Sequence, residues 1–236
     1  MKSVLIILLS FYLLGCITYE QENSPKLNSD PIEKAESRIT LGLGYLKIGN
    51  MVKAKENLEK ALQYTPEHYR AMLAIAHYYD MVGETEKAQV SYDNALNKHS
   101  DNGQVLNNYG AFLCKKGEFR QADQYFNQAI AQPNYYLIAE SYENAGLCAI
   151  KYGDLHRARQ YFSRAVGHDP QRFHSILQLS KLEIDSGELS KARERLMQFH
   201  LSYGYKKASL LLLASLERRT GNSELEQKYL LLLKQQ

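Results

Sequence analysis

Six of the chain's 14 glycines fall in one register: Gly49, Gly83, Gly117, Gly153, Gly187 and Gly221 are separated by 34, 34, 36, 34 and 34 residues. A period of that length marks a stacked array, in which a short unit cannot bury its apolar face alone and its neighbours complete the core. The same residues recur around each glycine. Seven positions before it stands a small residue (Gly42, Ala76, Gly110, Gly146, Ser180, Ala214), and five positions after the first five stands an alanine (Ala54, Ala88, Ala122, Ala158, Ala192). Four residues beyond that alanine comes a large apolar or aromatic side chain (Leu58, Tyr92, Phe126, Phe162, Leu196). A second alanine follows three residues later in the first four units (Ala61, Ala95, Ala129, Ala165), and Pro66 and Pro170 close two of them.

Each position has a mechanical reason. The small residue and the alanine lie where two antiparallel helices cross, and a larger side chain there would push them apart. The periodic glycine suits the tight turn between them, where a positive φ costs it little. This pattern resembles the tetratricopeptide repeat, in six copies over about residues 35–236. The resemblance implies an all-α fold, a right-handed superhelix or α-solenoid, whose concave groove is lined mainly by first helices. The 36-residue step places two extra residues in the loop around Gln132–Tyr136. Two units depart from the pattern: Phe199 stands where alanine is usual in the fifth, and Glu226 occupies the crossing position of the sixth. The chain then ends on Tyr229-Leu230-Leu231-Leu232-Leu233 without a polar capping helix. That end is either a well-buried last helix or an apolar surface that meets another chain.

The amino terminus differs from the array. Lys2 precedes an apolar run, Val4–Leu14, interrupted only by Ser10; a permanent membrane helix needs roughly 20 apolar residues, so the run fits the core of a secretory signal peptide. Leu13-Leu14-Gly15-Cys16 resembles a bacterial lipobox, which implies a signal peptide over residues 1–15, cleavage before Cys16 and acylation of that cysteine. A plain signal peptide with a chance cysteine is the alternative. Ile17, not Asp, follows Cys16, so the resemblance implies the periplasmic face of the outer membrane. Residues 16–34, polar and with two prolines, read as the lipidated cysteine and a flexible tether, which leaves 35–236 for the repeat domain.

Composition narrows the functional class. Hydrophobic residues make up 44%, charged residues 23%, and the net charge is +3; this excludes a polytopic membrane protein and a strongly basic nucleic-acid binder. The three cysteines form no CxxC pair and the seven histidines no HExxH, so no metal site is expected. No GxSxG elbow, phosphate loop or GxGxxG occurs; Gly42-x-Gly44 lacks the third glycine and sits within a first helix. The expectation is a binding scaffold without catalytic residues, cofactor, small-molecule substrate or nucleic-acid partner.

Two segments are more specific than the repeat. Asn107–Phe119 (NNYGAFLCKKGEF) and Ser141–Asp154 (SYENAGLCAIKYGD) resemble type IV pilus biogenesis lipoproteins of the PilF/PilW group. That resemblance covers essentially the whole chain and implies a pilotin, which helps the outer-membrane secretin localise and multimerise. The alternative is a general periplasmic adaptor lipoprotein that docks peptidoglycan hydrolases or other envelope-assembly proteins. With Cys16 lipidated, Cys114 and Cys148 remain as an even pair on adjacent first helices in an oxidising compartment, and a disulfide between them is expected. Two buried free thiols are the alternative. Asn107, Asn108, Glu143 and Asn144, on the central first helices, are candidates for binding an extended peptide in the groove; bridging between helices is the competing role. Tyr78, Tyr79, Tyr135, Tyr136 and Tyr142 are weaker candidates for apolar contact with polar tips. The Lys and Asn array that clamps a terminal carboxylate in some repeat proteins is not recognisable.

Overall fold

The computed structural model describes residues 30–235. Within them the chain forms twelve helices and no strand. They pair as α1 (Pro31–Lys47) with α2 (Met51–Tyr64), α3 (Tyr69–Met81) with α4 (Thr85–Lys98), and α5 (Gly103–Lys116) with α6 (Phe119–Ile130). The remaining pairs are α7 (Ile138–Tyr152) with α8 (Leu155–His168), α9 (Phe173–Asp185) with α10 (Leu189–Tyr203), and α11 (Lys207–Thr220) with α12 (Ser223–Lys234). This is the expected all-α solenoid of six helix pairs. Cys16, the signal segment and the tether up to residue 29 lie outside the described residues.

The start of the array differs from expectation. Residues 31–34, assigned above to the tether, are the first turn of α1. The reason is local: the Asp30 carboxylate accepts the Ile32 amide hydrogen bond at 2.9 Å, and Pro31 occupies the first helical position, where its missing N–H costs nothing.

Within each pair the periodic glycine makes the turn. Gly117 and Gly153 end α5 and α7 in the left-handed region, with φ of 89° and 87°. The next residue opens the second helix, and in three repeats its side chain caps it: Asn50 accepts from the Lys53 amide, Asp154 from Arg157 and Asn222 from Leu225. The crossing is as tight as the pattern requires. A Cβ added at Gly110 would lie 3.0 Å from the Phe126 ring, and one at Gly146 would lie 2.9 Å from Phe162. Leu58, Tyr92, Phe126, Phe162 and Leu196 are all almost fully buried; each contributes about 1.5–3 kcal/mol by leaving water.

The two extra residues of the third repeat fall in its closing loop, 131–137, where the other inter-repeat loops hold three or four. Asn134 adopts φ 65° there, and Tyr135 folds back over the start of α5, so that a Cβ at Gly103 would meet its ring at 2.4 Å.

The fifth and sixth repeats accommodate their departures. Phe199 packs against Phe173 and Tyr203, ring centroids 4.8 Å away in each case. The Glu226 carboxylate, placed at the crossing, accepts a hydrogen bond from Arg218 at 2.7 Å. On α12, Tyr229 is buried, and Leu230, Leu232 and Leu233 pack against the terminal core; of that apolar end, Leu231 is the exposed leucine. Two buried carboxylates hold this half together. Arg195 grips Glu183 with bonds of 2.8 and 3.1 Å within the fifth repeat, and Arg193 grips Glu217 across to the sixth at 2.8 and 3.0 Å.

Candidate partner-binding groove

First helices form the inner face. α1 and α3, α3 and α5, α5 and α7, and α9 and α11 approach one another directly, whereas second helices such as α6 and α8 reach the next repeat through its first helix. The inner surface is therefore built from residues one turn apart on α1, α3, α5, α7, α9 and α11.

Three of the four groove candidates bond across to a neighbouring helix. Asn107 is 2% exposed, and its side-chain oxygen accepts hydrogen bonds from Ser141 Oγ (3.0 Å) and Asn144 Nδ2 (3.1 Å). Its own Nδ2 faces Glu140 Oε1 at 3.5 Å. Ser141 in turn shares a 2.8 Å hydrogen bond with the Tyr135 hydroxyl, and burial pushes that phenol up to about 12. The network ties α5, α7 and the enlarged loop together. Asn108 donates to the Gln104 carbonyl of its own helix at 2.8 Å. Glu143 accepts from Ser175 Oγ at 2.6 Å and pairs with Arg172 at 3.3 Å, joining α7 to the start of α9. The buried Asn107 amide requires partners, and α7 supplies them. Asn107, Glu143 and Asn144 fill the bridging role between helices, whereas among the described residues Asn108 bonds only within its own helix. Of the tyrosines, Tyr78 and Tyr135 are core, Tyr142 stacks on His168, and Tyr136 is exposed.

Cys114 on α5 and Cys148 on α7 are joined as a disulfide, their Cα atoms 5.8 Å apart. Beside it lies a recess of about 640 Å³ between α5, α7 and α9. Its apolar lining includes Leu147, Ile150 and Leu182, and its polar rim includes Asn144, Lys151 and Lys181. Leu147 is 40% exposed, and Lys151 and Lys181 are exposed as well. Sequence reasoning did not single out these three. The signal was present: Asn144, Leu147 and Lys151 are spaced three and four apart, hence on one helix face, as are Gln178, Lys181 and Asp185.

Among the described residues no group of three His, Cys, Asp or Glu side chains is placed to hold a metal ion. No described helix is long and apolar enough to cross a membrane.

Tetratricopeptide-repeat family models match residues 35–68 and 113–173. An uncharacterised protein of Haemophilus influenzae is 38% identical over 148 residues, 63% of this chain and 80% of that protein. The type IV pilus assembly protein PilF of Pseudomonas aeruginosa is 35% identical over 149 residues, which span 63% of this chain and 59% of PilF. The solved structure of Pseudomonas aeruginosa PilF superposes with a TM-score of 0.74 at 30% identity, covering 87% of this chain and 92% of that one. The crystal structure of PilW, a type IV pilus biogenesis factor, gives 0.73 at 26% identity, with 85% and 92% covered. Arrays of this kind are protein-interaction scaffolds, and no enzyme family is indicated. On the repeat, the superposition and the identity together, the chain belongs to the tetratricopeptide-repeat family of PilF and PilW, the type IV pilus biogenesis proteins.

Proposed function

We propose that this protein is an outer-membrane lipoprotein that binds the type IV pilus secretin through its repeat array and promotes secretin localisation and multimerisation. The observation that carries the reading is the match of nearly the whole array to the PilF structure. Acylation of Cys16 would hold the array at the periplasmic face of the membrane, where its role is to raise the local concentration of a bound secretin subunit. No catalytic step is involved. The mechanism is co-localisation, and it requires both the lipid and the array.

The test is a gene deletion followed by immunoblotting of unboiled outer membranes for the secretin. Loss of the high-mass, SDS-resistant band, restored by the wild-type gene but not by Cys16→Ala, is the expected result. An unchanged band would remove the secretin from the reading and put the general periplasmic adaptor in its place.

A further inference from the structure

We infer that the recess between α5, α7 and α9 is a docking site for a partner segment that combines apolar side chains with carboxylates. The inference rests on the concave face being the binding face, and it adds the chemistry of what binds there. Its floor is apolar and open to solvent: Leu147, with Ile150 and Leu182 beside it, offers a seat for an aliphatic side chain. The charges around that floor are unbalanced. Asp185, the acidic member of the lining, is taken by Arg219 at 3.1 Å. Outside the lining, Lys115, next to Cys114, is taken by Asp80 at 2.8 Å, and Glu143, next to Asn144, by Arg172. Lys151 and Lys181 have no ion pair or hydrogen bond among the described residues. Two uncommitted ammonium groups over an apolar floor complement an acidic, apolar segment and oppose a basic one. The disulfide beside the recess ties α5 to α7, so the seat exists before the partner arrives and less ordering is needed on binding.

The test is fluorescence anisotropy with the purified full chain and three labelled peptides: alternating leucine and aspartate, leucine and lysine, and serine and aspartate. The leucine–aspartate peptide should bind tightest. Lys151→Glu with Lys181→Glu should weaken it at least about tenfold and turn the preference towards the leucine–lysine peptide. Leu147→Ser should weaken it by about tenfold with charge preference kept. None of these exposed side chains has a polar partner among the described residues, so the melting temperature should hold. Equal binding of the acidic and basic peptides to the wild type, or unchanged affinity in the double variant, overturns the proposal. The secretin blot of cells carrying the double variant is a separate readout. It decides whether the secretin uses this recess, while the anisotropy alone decides the peptide chemistry.

Discussion

At Gly146 an added methyl group would sit 2.9 Å from two ring carbons of Phe162, whereas Gly44, inside another first helix, faces nothing within 4 Å. The two glycines therefore carry opposite predictions. Gly146→Val forces α7 away from α8 and should cost about 1–3 kcal/mol. Gly44→Ala only removes backbone freedom from the unfolded chain and should stabilise by about 0.5–1 kcal/mol. Urea unfolding followed by circular dichroism checks both; a neutral Gly146→Val would mean that the helix pair opens at no cost. The crossing glycines were legible in the sequence because their spacing repeats. The buried carboxylates were not. Glu183 and Glu217 look like solvated helix residues, and only the fold brings Arg195 and Arg193 within reach of them. Asn107 was singled out correctly as unusual, yet its role depends on Ser141 and Asn144 of the next repeat. A lone sequence gives no way to say whether an amide looks into a groove or across to a neighbouring helix.

Helix ends follow local capping rules, at Asp30-Pro31, a start that the polar, proline-containing composition around it disguised as tether, and at the Asn and Asp caps after the turn glycines. In three repeats a glutamate takes that place without capping through its side chain: Glu84, Glu118 and Glu188. Glu188 serves instead as a link between second helices. It pairs with Arg159 of α8 and with Lys191 of its own helix at 2.7 Å. Hydrogen bonds from Arg159, then Lys191, hold its carboxyl down to about 2 from an ordinary 4.5. A carboxylate whose folded pKa is depressed contributes stability above its unfolded value and loses it as pH falls through the folded one. The difference in melting temperature between the wild type and Glu188→Gln should therefore be constant from pH 7 to about 5, shrink below about 4.5, and vanish near about 2. Because the link is solvent-facing, concentrated salt should shrink it as well. A difference that persists at pH 2 would assign the effect to packing.

Across the whole array each repeat touches only its neighbours, so stability is a sum of repeat and interface contributions, and a weak boundary can divide the molecule. The period made this architecture readable, including the third repeat as the one enlarged by two residues. The Cys114–Cys148 bond spans the boundary after that repeat, where the first helices also meet through Asn107, Ser141 and Asn144 and a shared core joins Phe112 and Phe126 to Ala145. Its sequence separation of 34 corresponds to about 3–4 kcal/mol of lost chain entropy in the unfolded state. The joint variant Cys114→Ser with Cys148→Ser should lose about that much, and reductant should bring the wild type to the same urea midpoint while leaving the variant unmoved. Since a shared core and the Asp123 bonds to Tyr161 and Arg157 also cross this boundary, the variant should still unfold in one transition, at the lower midpoint, with site-resolved hydrogen exchange showing both sides opening together. A single transition at an unchanged midpoint would mean that the shared core, the polar network and the Tyr135 loop hold the boundary on their own.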